Sequence, residues 1–247
     1  MTLPREECFP IVEELLSLYD DLEEASWREG NVKVSHLAHG WYMRVRRGVK
    51  AVLMLEQTGF AAEAAPIRRS IIERAVALKW LATEGDAIQD TVKRGHAHGI
   101  ERLREAIVGA DWSSIDLVKF DEVLAELEDA DPAHDNMLHF ANRVRAYGRP
   151  DDVPPWFSET ALAHPSYESA IAYWRVPEMQ IIAVPDSVDQ MGFCMGWLLT
   201  ATLVFRGLFD PPLWQPETDD LVKRARAIDT RYRAATGLKP YPYPSID

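Results

Sequence analysis

Residues 61–83 are apolar on two sides of one helical turn pattern, and that leaves few folds open to the chain. Ile67, Ile71, Ala75 and Leu78 step by three and four along one side, and Ala65, Ile72, Val76 and Trp80 along a second. Such steps mark an α-helix. A helix greasy on two sides has to lie between other helices. Pro66 fits only near its start, where an amide hydrogen is not needed.

The neighbours it needs are written on either side. Ile11, Leu15, Leu18 and Leu22 predict a helix over 11–27, with Pro10 just before it or in its first turn. Val34, Leu37, Trp41, Val45, Val49, Val52 and Leu55 predict one over 32–57, closed by Gly59, with Arg44, Arg47 and Lys50 on another face. Further helices are expected over 86–108 and 114–129, with Asp86 and Ser113 or Ser114 as caps, and a shorter one over 134–147. Asp186 or Ser187 opens another that runs to about Leu208, and an amphipathic helix covers 218–236. Strand-like alternation is scarce. The expected fold is an all-α helical bundle of about seven to nine helices, one domain over 1–247 with its core at about 11–209.

One stretch breaks the pattern. Pro150, Pro154, Pro155, Pro165, Pro177 and Pro185 make 148–185 read as a long irregular insertion, a lid or a partner-binding loop. Within it, 166–174 suits a short helix and 179–184 an extended piece. The tail, 238–247, with Pro240, Pro242 and Pro244, reads as loose.

Composition narrows the function classes. The two cysteines, Cys8 and Cys194, lie far apart and form no CxxC pair, which excludes a thiolate zinc cluster. No charged-then-apolar leader is visible, so a reducing cytoplasm is the expected setting. The longest uncharged run, Gln190 to Phe205, is 16 residues, short of the roughly 20 a bilayer needs; a buried core helix is expected, with no membrane partner. Net charge is −12, yet residues 33–104 hold 13 Lys and Arg against 7 Asp and Glu. The whole chain repels nucleic acid at long range, while that section offers a local basic face or an internal set of ion pairs. There is no phosphate-binding glycine loop, dinucleotide fingerprint or nucleophile elbow. The run Asp20, Asp21, Glu23, Glu24 has the look of a terpene-cyclase DDxxD, but without a partner motif it reads as a solvated acidic face.

The polar residues that stand out are Arg69 and Glu73, four apart on the stripe of Ala65, Ile72, Val76 and Trp80. Charges on an apolar stripe of a central helix are at least partly desolvated, and each needs a partner; a partly buried polar site is expected. They form either a structural ion pair that fixes helix register or a site where a carboxylate and a guanidinium meet a ligand.

The segment GFAAEAAPIRRSIIERAVALKWLA, 59–82, resembles a widespread bacterial all-helical family of unknown function, at Gly59, Glu63, Ala64, Arg69, Ser70 and Glu73. A second family feature, a Ser followed after three residues by His and then Pro or Ser, is similar to Ser158, His164, Pro165 and Ser166, although here five residues separate Ser158 from His164. That family is distantly similar to HEPN domains, which are helical, often dimeric, and often metal-independent ribonucleases of toxin and phage-defence systems. The resemblance implies a cytoplasmic defence or stress protein, a homo-oligomer, with Arg69, Glu73 and His164 as the candidate catalytic or binding residues, no metal, no cofactor, and nucleic acid or protein as partner. HEPN ribonucleases carry an Arg and a His on one helix with four to six residues between them, for charge stabilisation and general base catalysis. No such pair is present here; the nearest is Arg94 with His98, three residues between them.

Two alternatives stand beside this reading. One is a non-catalytic scaffold that dimerises through the helices at 32–57 and 61–83 and binds a protein partner. The other is a metal-dependent hydrolase or oxygenase using His98, His134, Asp135 and His139; the order His98, His134, Asp135, Asp186 is that of HD-type phosphohydrolases. His36 with His39 reads as a surface pair, and His96 and His98, two apart, cannot both face one site on a helix. Trp156, Phe157, Tyr167, Tyr173 and Trp174 lie near His164 and can line a ligand pocket or cover a core edge.

Overall fold

A computed structural model describes residues 3–19, 25–112, 115–125, 135–175, 180–181 and 189–237. The chain is an all-α bundle, as the periodicity predicts. The helices are α1 (Arg5–Ser17), α2 (Ser35–Gln57), α3 (Ala65–Glu84), α4 (Gln89–Gly109), α5 (Val118–Ala125), α6 (Phe140–Tyr147), α7 (Val153–Ala163), α8 (Tyr167–Ile171), α9 (Met191–Arg206) and α10 (Gln215–Thr236). Two short strands, β1 (Trp174–Arg175) and β2 (Gln180–Ile181), pair antiparallel with Trp174 opposite Ile181.

α3 is the centre of the bundle. It packs against α2, α6, α7 and α9, and Ile71, Ile72, Val76, Leu78 and Trp80 are all buried. Both apolar stripes are therefore covered inside one chain. Removing each large side chain from water stabilises by about 1.5–3 kcal/mol. Tyr42 of α2 and Phe205 of α9 stack at 4.2 Å on the far side of the same core.

The ends of α3 follow from two residues. Pro66 takes its second position, where no amide hydrogen is needed. Gly85 ends it at φ +60, with the backbone oxygen of Gly30 only 2.4 Å from where a Cβ would stand, so no other residue fits. The expectation that Asp86 caps α4 is corrected: its Oδ1 accepts from the backbone N–H groups of Lys33 (2.8 Å) and Val34 (3.2 Å), just ahead of α2, and ties the turn before that helix to the end of α3. α1 also differs. It starts at Arg5, so Pro10 lies inside it, and it stops at Ser17; Trp27 instead pairs its backbone with Phe209.

The proline-rich stretch holds more helix than expected. Pro154 and Pro155 sit in the first turn of α7, and prolines there start helices rather than break them. The short helix expected over 166–174 is α8, confined to Tyr167–Ile171; Ser166 caps it, its Oγ accepting from Ser169 N at 3.1 Å. The acidic run at 20–24, the caps at 113–114 and 186–187, His134, and the tail at 238–247 lie outside the described residues. Among the described residues no helix is long and apolar enough to cross a membrane.

Candidate functional site

Two adjacent arginines leave α3 about 100° apart and meet different surroundings. Arg68 points into the bundle. Its side chain is 4% exposed and its Nε lies 2.8 Å from Glu159 Oε1 on α7. Its Nη1 donates to the backbone oxygen of Ala61 at 2.6 Å. Arg69 comes out at the edge, between α3 and the end of α7. Its Nε donates to Glu73 Oε1 at 3.0 Å, and its Nη1 stands 2.7 Å from Nε2 of His164. A guanidinium can only donate, so His164 accepts with Nε2 and carries its proton on Nδ1.

Local sequence explains why His164 is there. Pro165 disfavours helical backbone in the residue before it. His164 accordingly leaves α7 in an extended conformation, φ −111 and ψ 158. The turn is held by Ser166, whose Oγ donates to the backbone oxygen of Ala161 at 2.6 Å.

Trp156 completes the cluster. Its Nε1 donates to Glu73 Oε1 at 2.9 Å, and the Arg69 guanidinium lies 5.5 Å from its ring centre, within cation–π range. Phe140 stacks on the other part of that ring at 4.6 Å, with Phe157 edge-on at 5.0 Å. The ring is thus fixed on both sides before any ligand arrives.

The structure therefore brings Arg69, Glu73 and His164 into one hydrogen-bonded set. Their burial is partial and falls short of the centre of the bundle. Arg69 and Glu73 are each 28% exposed and His164 is exposed; the arginine carried into the greasy centre is Arg68. The signal for it was present, since Arg68 continues the steps Ala64, Arg68, Ile71, Ala75 along a buried side. Among the described residues, Arg69 keeps its second terminal nitrogen, and His164 its Nδ1–H, unused.

Neighbouring cations crowd this edge. Burial holds the Arg143 guanidinium of α6 below its ordinary range, opposed by the charge of Glu73. Burial, and then Arg44, do the same to Arg74, again against Glu73. Arg74 donates to Ser70 Oγ, and Glu63 accepts from the Tyr173 hydroxyl. Arg44, Arg47 and Lys50 of α2 are exposed. Ser158 is exposed on α7, and Tyr167 is 72% exposed on α8.

The other constellations fare differently. Arg94 grips Asp135 through Nε at 3.0 and 2.9 Å and Nη2 at 2.9 Å, so that carboxylate is already neutralised. His98 is exposed, 3.8 Å from Glu101. Among the described residues no three His, Cys, Asp or Glu side chains come together as a metal set; His134 and Asp186 lie outside them. His36 is exposed, and His39 meets the Tyr19 hydroxyl. Lys79 and Asp152 were not anticipated: Asp152 is 1% exposed and accepts from the Arg149 backbone at 2.8 Å, with Lys79 Nζ at 3.5 Å.

A family of unknown function (DUF5677) matches residues 35–174, more than half of the chain. The chain belongs to that family. The matched span opens at the first residue of α2 and closes at β1, so the DUF5677 region contains α3, α7 and all four members of the cluster. α9, which packs on α2 and α3, and α1 and α10, which pack on α9, are outside the match. No curated protein and no solved structure matches the chain.

Proposed function

We propose that this chain is a HEPN-like protein of a cytoplasmic phage-defence or stress system, in which Arg69, Glu73 and His164 form a polar site for the phosphate of an RNA strand. The observation that carries the reading is the 2.7 Å contact between Arg69 and His164, residues 95 apart in sequence, at an edge that solvent and a ligand can reach. The likeness of 59–82 and of the His-Pro-Ser turn to a HEPN-related family supports it.

The chemistry follows from the unused donors. An oxyanion arriving at this edge meets the second terminal nitrogen of Arg69, a charged donor; the Nδ1–H of His164, on the side of the ring away from Arg69, is left for another acceptor on the strand. Glu73 and Trp156 keep the guanidinium in place, so little freedom is lost on binding. The exposed Arg44, whose charge acts on Arg74 beside Glu73, supplies local attraction against a net charge of −12. In this arrangement the lone pair of His164 is taken by Arg69. Strand cleavage therefore requires the phosphate to draw Arg69 off the ring, freeing Nε2 as general base for a ribose hydroxyl.

A second reading has its own observation. Arg68 with Glu159, and Trp156 with Glu73, join the same two helices, so the cluster would serve only to fasten α7 to α3 in a non-catalytic dimeric scaffold. Arg69→Ala and His164→Ala separate the two readings. The RNA reading expects both variants to stay folded, to lose about tenfold or more in RNA affinity, and to lose protection in a phage challenge. If both folded variants bind RNA and protect cells as the parent does, the site is not functional.

A further inference from the structure

A second feature of the bundle lies beside the Arg69 cluster, on the other side of Arg143. A cavity of about 680 Å³ opens between α2, α3, α4 and α6, floored by Trp41, Trp80, Val92 and Leu138 and walled by Arg143. Two of these side chains carry buried donors with no hydrogen-bond partner among the described residues, Nε1 of Trp80 and Nε of Arg143. Trp80 is only 1% exposed. Buried donors in folded proteins almost always have partners, and a pair left open on one cavity points to an acceptor that comes from outside.

The surroundings define that acceptor. The Arg143 guanidinium lies 6.0 Å from the Trp80 ring centre, and burial disfavours its charge while Glu73 supports it, so a further anion there gains more than it would in water. His98, Arg102 and His139 stand at the rim. Of the two carboxylates present, Asp135 is held by Arg94, and Glu101 faces His98 at 3.8 Å. The floor is flat and aromatic. Such a volume, with an apolar floor and a few convergent donors, is that of a small-molecule site.

We propose that this cavity binds a planar ring bearing an anionic oxygen, a nucleoside monophosphate or an aromatic carboxylate, with the oxyanion on Arg143 and the Trp80 indole N–H and the ring against Trp41. Calorimetry on the full chain with 5′-AMP, benzoate, inorganic phosphate and zinc tests this. One-to-one binding of AMP or benzoate is expected, tighter than phosphate alone, and the tighter of the two identifies the source of the anion. Trp80→Phe, which keeps the ring and removes the N–H, and Arg143→Met each weaken that binding about tenfold. The ligand-free melting temperature of Arg143→Met stays at or above the parent's, because a desolvated cation without a hydrogen-bond partner at Nε has been removed. Should Arg143→Met fail to fold, Trp80→Phe carries the test alone. Absence of AMP and benzoate binding up to about 10 mM, binding unchanged in the variants, or stoichiometric zinc abolished by His98→Ala overturns the proposal.

Discussion

Arg68 and Arg69 are neighbours in sequence, both reach from α3 to the segment around α7, and both meet a carboxylate, yet they do different work. Arg68 and Glu159 are withdrawn from water, at 4% and 13% exposure; Arg69 and Glu73 are at the rim, at 28% each. A buried pair cannot be reached by a ligand and cannot lose one partner without stranding the other. A rim pair contributes little to stability and keeps donors free for something else. Burial, rather than charge or helix spacing, separates the fastening from the candidate site.

The buried side can be broken first, with the largest effect. Arg68→Ala leaves the Glu159 carboxylate without its cation and is expected to cost about 3–5 kcal/mol in chemical denaturation. The double variant Arg68→Met with Glu159→Leu is expected to recover most of that loss. If Arg68→Ala unfolds at the same denaturant concentration as the parent, the contrast is lost.

Alkaline pH probes the same side. Burial, followed by Glu56, pushes the Cys194 thiol up to about 12, with Arg68 opposing, and burial pushes Cys8 up to about 11. Both thiols therefore stay protonated in the folded chain after the unfolded chain has lost their protons. Their contribution is complete below an ordinary thiol value near 9 and is lost as pH rises towards 12. Unfolding free energy measured across that window should fall, and Cys194→Ala should make the fall shallower. An equal slope in the variant would remove Cys194 from the account.

The rim is expected to respond weakly. Trp156→Phe keeps the ring but deletes the bond to Glu73, for a loss of about 1 kcal/mol. Arg69→Ala, with a partly exposed partner, is expected to cost about 1 kcal/mol or less. A loss for Arg69→Ala as large as that for Arg68→Ala would make the rim a second fastening.

Much of this was legible beforehand, for physical reasons that can be named. α3 announced itself because two apolar stripes admit only a sandwiched helix. Arg69 with Glu73 followed from a spacing of four, and His164 from the family likeness, while Pro165 accounts for its extended backbone. What failed was depth and context. The difference between Arg68 and Arg69 is one step around a helix, and which side meets α9 or α7 depends on packing. α7 was hidden because Pro154 and Pro155 read as breakers until a helix start is placed beneath them. The roles of Asp86 and Trp156 are contacts across 52 and 83 residues, which no local pattern carries.

The most direct test of the central claim is the affinity of a fluorescent single-stranded RNA for the parent, Arg69→Ala and His164→Ala, read by anisotropy at one fixed salt concentration beside their melting curves. The account predicts RNA affinity about tenfold weaker in both variants, with melting temperatures within a few degrees of the parent. Unchanged affinity in two well-folded variants would contradict it.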